Sequence, residues 1–399
     1  MLAALRNAVD ERADDLYDLA ARLVRERSLL GAEEGAQRIV EERLRRLGFA
    51  VERVEPDADE ALHHPHAGYP LLPYDGRTCV AGRIEGSGGG RSLHLTGHVD
   101  VVPVEAEERW THDPWGGELA GGRLWGRGAG DMKAGIAAYL AGVEAFLEVV
   151  GAPGGDLLFT SVIEEESGGN GMRAVLRAGY DADATLIGEP TDLRLHANGV
   201  GVIWARLAAR SEGAHAAVAD ASVSPVEQLF GAVRALRALE ERLNEGTPGG
   251  HPYNLNLGEI KGGVWPSSVP AEVVLRVRLG FGPEFEPEDA QALLREAVER
   301  GEPGVEVSFE GFRAHAYEHD LANPLGALVA SCHAELHGAP PETKVSTATT
   351  DARYVEGPCL CYGPRAGNIH GTDEWVDLQS VRDTALAVAL VVSRWDRSA

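Results

Sequence analysis

The residues with the clearest chemical potential lie in segment 93–104, LHLTGHVDVVPV, where a predicted strand ends at His98 and Asp100. An imidazole at a strand end can bind a metal ion, while a nearby carboxylate holds the ring in the required tautomer. The same two residues also fit an ordinary strand end with two solvated polar side chains. The pair alone therefore leaves a metal site and a plain strand end as alternatives.

Acidic residues stand at three further junctions of the predicted elements. A Gly-rich turn brings Asp131 to the entry of a helix, and the buried strand 156–163 is followed at once by Glu164–Glu166. The apolar strand 184–187 leads into GEPT, which contains Glu189. Clustered carboxylates need a compensating cation, and ligands bind at the carboxyl edge of open α/β sheets. Together these positions predict a cation site.

The chain has 399 residues, and this length predicts two domains. No 18-residue apolar run is present, so we expect no membrane span. The N-terminal segment is charged and has a helical pattern, unlike a secretory signal peptide, which predicts a cytoplasmic protein.

The formal net charge of −25 disfavours nucleic acid and anionic membranes as partners, because like charges repel. The four cysteines show no Cys-x-x-Cys spacing. We therefore expect reduced core thiols, with a zinc ribbon as the weaker alternative.

The order of the predicted elements favours an α/β protein with an inserted unit. Hydrophobic periodicity predicts helices over 12–30, 33–47, 132–149, 225–243, 286–300, 323–337 and 377–395. Strands are predicted over 49–54, 78–84, 92–96, 156–163, 184–187, 199–209, 253–261, 269–280 and 304–310. The Gly-rich EGSGGG between the second and third strands is interpreted as a hairpin connection. Residues 199–311 form a βαββαβ series, typical of two helices on an antiparallel, ferredoxin-like sheet.

Several features of the sequence argue against other kinds of functional site. EGSGGG lacks the Gly-Lys-Ser/Thr ending of a phosphate loop, and the glycines at 126, 128 and 130 are followed by Asp131 where a dinucleotide site needs its third glycine. The chain has no Gly-x-Ser-x-Gly and no His-Glu-x-x-His. The loop cluster His63, His64 and His66 could bind a metal, but a solvated loop is the favoured interpretation. The pair His333 and His337 is likewise interpreted as a solvated helix face.

Five motifs occur in the order and at the approximate spacing of the M20 metallopeptidase family: HVDVVP, GRGAGDMKAGIAA, EEESGGNG, GEPT and IHGTDEWV. The chain resembles this family over nearly its whole length. The segments YNLNLGEIKGG, WPSSVP and TTDARY are most similar to its branch of acetylornithine deacetylase and succinyl-diaminopimelate desuccinylase.

The resemblance implies a two-metal site. It assigns His98, Asp131 and Glu189 to one metal and Asp131, Glu166 and His370 to the second, so that Asp131 bridges the two ions. Asp100 corresponds to the residue that orients His98. The resemblance also implies a cis peptide bond between Asp131 and Met132.

The resemblance further assigns the residues that act on the substrate. Glu165 corresponds to the general base, His215 to a lid histidine that holds the substrate carbonyl, and Arg278 and Arg353 to ligands of the substrate carboxylate. The chain departs from many relatives at Arg276, where they have aspartate. It also departs at Ser267–Ser268, where they have asparagine, and both departures bear on substrate choice.

Amide hydrolysis at neutral pH needs an activated water, a polarised carbonyl and a proton for the leaving amine. Two cations about 3.5–4 Å apart supply the first two. Two imidazoles and three carboxylates suit zinc, with cobalt or manganese as replacements. Glu165 must then stand free of the metals to move the proton.

We therefore predict an α/β, mixed-sheet, dinuclear metal-binding catalytic domain (1–198 and 312–399). Residues 199–311 are predicted to form an inserted ferredoxin-like lid and dimerisation domain. The predicted enzyme is an amidohydrolase acting on small N-acyl amino acids, as in acetylornithine deacetylase. The alternatives are an exopeptidase or dipeptidase, a succinyl-diaminopimelate desuccinylase, and a non-catalytic metal- or ligand-binding relative. A homodimer is expected, in which His215 serves the other subunit's site.

Overall fold

The computed structural model describes residues 1–221, 223–245 and 253–395 of the chain. The α-helices of these ranges are α1 Leu2–Glu11, α2 Ala13–Arg25, α3 Glu34–Arg46, α4 Ala58–His63, α5 Ala134–Val149, α6 Asn170–Arg177, α7 Pro225–Asn244, α8 Pro287–Gly301, α9 Pro324–His337 and α10 Leu378–Trp395. The helix predicted over 12–30 ends earlier than expected, at Arg25. The segment interpreted as a loop before the second strand contains the short helix α4, whose first turn is capped by the Asp57 carboxylate.

Strands of the described ranges form one six-stranded sheet, two four-stranded sheets and two two-stranded pairings. They are β1 Ala50–Val54, β2 Cys79–Ile84, β3 Leu93–His98, β4 Glu118–Ala120, β5 Arg123–Trp125, β6 Leu157–Val162, β7 Thr185–Ile187, β8 Asn198–Gly199, β9 Gly201–Arg210, β10 Ala214–His215, β11 Asn254–Gly262, β12 Ser268–Val269, β13 Glu272–Phe281, β14 Val305–Ala314, β15 Tyr317–Glu318, β16 Cys359–Cys361, β17 Ala366–Gly367 and β18 Trp375–Asp377.

The large sheet is mixed, with the strand order β1-β2-β6-β3-β7-β16. Strand β3 is parallel to both β6 and β7, and β16 is parallel to β7. All six residues of β3 and all six of β6 are buried, as expected for strands covered on both faces. The carboxyl ends of β3, β6 and β7 therefore meet at one edge of the sheet.

The predicted hairpin between β2 and β3 is wrong. Strand β6 lies between them, antiparallel to β2 and parallel to β3. The Gly-rich connection instead runs beside the loop that precedes β6, where Ser87 and Gly88 donate main-chain hydrogen bonds to Pro153 and Gly154. Because all six residues of β3 are buried, this strand fits the centre of the sheet better than an outer hairpin.

Helix α5 packs close to the edge of the sheet where the strands end. A Cβ atom on Gly135 would lie 1.9 Å from the carbonyl oxygen of Gly188. Only glycine permits this approach, which brings the turn before α5 next to the residue that precedes Glu189. The helix is buried along most of its length and belongs to the larger hydrophobic core.

The second large sheet has the order β11-β13-β9-β14, and its neighbouring strands are all antiparallel. Helices α7 and α8 contribute buried residues to a hydrophobic cluster of this sheet, separate from the larger core. The βαββαβ order of elements agrees with the sequence prediction, although β14 extends to Ala314 rather than ending at residue 310. Within the described ranges, no helix combines the length and apolar character that a membrane crossing requires.

Candidate active site

Three strand ends deliver polar side chains to the same edge of the mixed sheet. His98 is the last residue of β3, the acidic run Glu164–Glu166 follows β6, and Glu189 follows β7. His98, Glu165 and Glu189 are buried, while Glu166 is partly exposed. This placement is the one expected from the parallel strand ends.

Asp131 reaches this edge from the turn Ala129–Lys133, which precedes α5 and in which Asp131 and Met132 have non-helical backbone angles. The peptide bond between Asp131 and Met132 is cis, as the family resemblance implied. The main-chain N–H groups of Gly130 and Asp131 donate to the Glu374 carboxylate at 2.9 and 3.1 Å. The turn therefore holds the Asp131 side chain between groups that come from distant parts of the chain.

The two oxygens of Asp131 face two different groups of side chains. Its Oδ1 lies 3.1 Å from His98 Nε2, which is itself 3.9 Å from Glu189 Oε1. Its Oδ2 lies 3.5 Å from His370 Nε2, which is itself 3.1 Å from Glu166 Oε1. Asp131 therefore stands between two clusters that each hold one histidine and one glutamate.

Ligand atoms of His98, Asp131 and Glu166 all lie within 4.8 Å of one another, so the two clusters are close enough to form one metal-binding centre. Two imidazoles and three carboxylates form a donor set suited to zinc and similar divalent cations. Glu189 and Glu166 are held at the edge of a buried sheet beside a third carboxylate, where a cation would relieve their repulsion. The residues present therefore fit a pair of divalent metal ions.

Asp100 connects the first histidine to the acidic run. His98 Nδ1 lies 3.0 Å from the main-chain oxygen of Asp100 and 3.7 Å from its Oδ1. The Asp100 carboxylate accepts main-chain hydrogen bonds from Glu165 at 3.3 Å and Glu166 at 3.0 Å. With Nδ1 as the donor, His98 presents Nε2 to the site, the arrangement of a metal-ligating imidazole.

Burial and the charges of neighbouring side chains shift the pKa values of the carboxylates and of His370 in this site. Burial and the nearby Asp131 raise the pKa of Glu189 well above its usual range. Burial raises the pKa of Glu166 to about 7, although His370 opposes the shift. Burial would lower the pKa of His370, but Glu166 and Asp131 outweigh it and raise that pKa. A divalent cation would take the place of these protons.

Glu165 is buried but lies outside both histidine clusters. Its Oε1 accepts no hydrogen bond from the described residues and lies 3.5 Å from Arg353 Nη1. The Arg353 guanidinium is fully buried, donates to the main-chain oxygen of Thr350 at 2.7 Å and pairs with Asp351 at 3.6 Å. The structure thus places Arg353 beside the candidate base.

Arg278 and His215 lie on the part of the chain that contains the antiparallel sheet. Arg278 is on β13 and donates a hydrogen bond to Asn254, and burial lowers the pKa of its guanidinium. His215 is exposed on β10, where its Nδ1 accepts a hydrogen bond from the Ala217 main chain. No hydrogen bond or ion pair among the described residues joins either side chain to the two histidine clusters.

The sequence analysis missed two buried residues of this site, Arg127 and Glu374. They form an ion pair of 2.5 Å directly beside the Asp131 turn. Both residues lie in motifs of the family resemblance, GRGAGDMKAG and IHGTDEWV. Their place in these motifs was the only feature of the sequence that could have identified them. The four cysteines, in contrast, are all buried and free, as predicted.

The mixed sheet and the candidate metal ligands at its edge fit a metal-dependent hydrolase. Residues 94–394 match the family model described as Peptidase family M20/M25/M40. The chain belongs to this family and is an amidohydrolase.

The curated relatives include a succinyl-diaminopimelate desuccinylase from Rhodospirillum centenum. It is 32% identical over an alignment of 399 residues that covers 96% of this chain and 98% of the relative. A desuccinylase from a Caulobacter species is 29% identical and covers 96% of each chain. The sequence comparison therefore extends over both the catalytic motifs and the intervening antiparallel sheet.

Two solved structures have a similar fold at low sequence identity. The dipeptidase Dug1p from Saccharomyces cerevisiae is 15% identical, has a TM-score of 0.82, and the match covers 100% of this chain and 99% of that chain. The Bacillus subtilis YXEP protein, described as a dinuclear metal binding peptidase from the M20 family, is 14% identical and has a TM-score of 0.62. That match covers 98% of this chain and 99% of that chain.

Proposed function

We propose that this chain hydrolyses the amide bond of N-acyl amino acids at a site of two divalent metal ions. The observation that carries the proposal is Asp131, whose two oxygens face separate histidine and glutamate clusters while Glu165 stands outside both. His98, Asp131 and Glu189 would hold one ion, and Asp131, Glu166 and His370 the other. Zinc is the ion we favour, with cobalt or manganese as replacements.

The two ions, when bound, would supply an acidified water and a polarised substrate carbonyl. Glu165 takes the proton of the attacking water on its carboxylate and passes it to the nitrogen of the leaving amine. Asp100 holds His98 in the tautomer that presents Nε2 to the site. Arg353 places a guanidinium nitrogen 3.5 Å from the Glu165 carboxylate.

The substrate we favour carries a free carboxylate. Arg278 is largely buried, and its hydrogen bond goes to a neutral amide, Asn254, so its charge has no acidic partner among the described ion pairs. Such a cation is suited to binding an anionic group of a ligand. The curated relatives bear the name of a desuccinylase, which favours succinylated over acetylated substrates for this chain. Acetylornithine deacetylase activity and dipeptidase activity are the alternatives.

A substrate panel tests this proposal. We expect faster hydrolysis of N-succinyl-diaminopimelate than of N-acetylornithine or simple dipeptides, with zinc, cobalt and manganese supplied in turn. Arg278→Met should raise KM for carboxylate substrates by about 10-fold or more, because a charged hydrogen bond contributes about 1.5–3 kcal/mol. The matched control is Arg210→Met, an exposed arginine on the neighbouring strand β9 that pairs with Glu272 and Glu306. Turnover of dipeptides alone would favour the dipeptidase alternative.

We also propose that residues 199–311 form an inserted, ferredoxin-like lid and dimerisation domain, with 1–198 and 312–399 as the catalytic domain. In support, the antiparallel sheet has the strand order β11-β13-β9-β14 and its own hydrophobic cluster. His215 is exposed on this part of the chain, so it is free to meet a substrate in a neighbouring subunit. A cytoplasmic location stays a prediction.

Complementation tests whether His215 acts in the partner's site. Inactive His215→Ala and inactive Glu165→Gln proteins, mixed under conditions where subunits exchange, should recover about one quarter of the wild-type activity, because half of the dimers are mixed and each has one intact site. The control mixes Glu165→Gln with an active His63→Ala variant, whose exposed histidine lies on α4. Proven exchange without recovered activity would assign His215 to its own chain or remove it from catalysis.

A further inference from the structure

A buried ion pair joins the two chain segments that deliver Asp131 and His370. Arg127 Nη1 lies 2.5 Å from Glu374 Oε2, and both side chains are almost completely shielded from solvent. The two residues are 247 positions apart in the chain. Neither belongs to the proposed ligand set, and neither has a part in the proton transfers described above.

Glu374 holds the main chain at Asp131, the residue that the two proposed metal ions share. Its Oε1 accepts hydrogen bonds from the N–H groups of Gly130 and Asp131, at 2.9 and 3.1 Å. Its own main-chain oxygen accepts a hydrogen bond from Gly126 at 2.9 Å. These contacts set the orientation of the turn, and with it the direction in which the Asp131 carboxylate points.

Arg127 contacts the segment that contains His370. Its Nη2 donates to the main-chain oxygen of Gly371 at 3.3 Å, directly after His370. His370 has a φ of 61°, a left-handed conformation that a residue with a Cβ adopts only when its surroundings hold it there. The guanidinium also lies 5.4 Å from the Trp110 ring centroid, so Arg127 itself is held in place.

We propose that the Arg127–Glu374 pair is a positioning clamp that sets the separation of Asp131 and His370, and thereby the affinity of the second metal position. The inference rests on the ligand assignment of the proposed function. A buried ion pair is weak support for stability by itself, because apolar replacements are often as stable. The contribution of this pair therefore lies in geometry. In the described part of the chain, no hydrogen bond of the pair reaches His98 or Glu189. The affinity of the first metal position, which these two residues form with Asp131, therefore depends on the pair less.

Zinc titration of the metal-free protein tests the clamp, with binding followed by calorimetry and the zinc content measured after dialysis. Wild type should bind two zinc ions per chain. Glu374→Gln should weaken the second step by about 10–100-fold, the usual effect of removing a group that orients a metal ligand. The first step should change several-fold less. Arg127→Lys keeps the positive charge but cannot span Glu374 and Gly371, so it should show the same selective loss.

The control is Glu144→Gln on helix α5, which removes an acidic partner of the buried Arg43 on helix α3. It should lower the melting temperature and leave both zinc steps unchanged. Unchanged zinc steps in a folded Glu374→Gln and a folded Arg127→Lys would overturn the clamp, as would an equal loss of both steps. If Glu374→Gln does not fold, Arg127→Lys decides between these results. A wild-type chain that binds no zinc would instead overturn the proposed function.

Discussion

Replacing Asp131 with asparagine is expected to release both metal ions and to lower turnover by at least ~10³-fold. The amide of an asparagine side chain would offer one neutral oxygen where Asp131 now directs two charged oxygens to two clusters. Losing several kcal/mol of metal-derived charge stabilisation corresponds to about 10³-fold in rate. Metal content by mass spectrometry and kcat with a succinylated substrate measure the two effects.

The matched control is Asp156→Asn. Asp156 lies directly before β6, and its carboxylate pairs with Arg83 on β2. This variant should keep both metals and near-normal turnover. An Asp131→Asn protein that retained two tightly bound ions would show that Asp131 is not the shared ligand.

The second large effect is expected for Glu165→Gln, which should lower kcat by at least ~10²-fold while both metal ions stay bound. A glutamine side chain would keep the shape of the glutamate but could not accept the proton of the attacking water. KM should change little, because Glu165 lies outside both histidine clusters and contacts Arg353 instead.

Glu166→Gln separates the roles of the two adjacent glutamates. It should lose metal as well as activity, since Glu166 Oε1 lies 3.1 Å from His370 Nε2. If Glu165→Gln lost metal and Glu166→Gln kept it, the base and the ligand would have to be exchanged.

The positions of four candidate ligands could be predicted because each lies at a strand end or a Gly-rich turn. His98, Glu166 and Glu189 follow three strands that are parallel to one another, so their side chains had to meet at one edge. The Gly-rich turn marked Asp131 as a candidate, whereas His370 could be predicted only through the family motif, because no local periodicity links a turn before α5 to a loop near the C-terminus.

Other features depend on contacts that a local pattern does not contain. The insertion of β6 between β2 and β3 places a strand from residue 157 onward between two consecutive strands, and EGSGGG fits a hairpin equally well. The Arg127–Glu374 pair joins residues that are 247 positions apart in the chain, and either residue alone resembles a solvated charge. Arg353 shows the same limit. Its motif implied a ligand of the substrate carboxylate, and the fold buries its guanidinium beside Glu165. Its contact with substrate stays a prediction.

Anomalous diffraction from zinc-loaded crystals, collected at the zinc absorption edge, tests the central claim most directly. We predict two peaks about 3.5–4 Å apart, one in contact with His98, Asp131 and Glu189, the other with Asp131, Glu166 and His370. A single peak, a peak in contact with Glu165, or no zinc at this edge of the sheet would contradict the two-metal site.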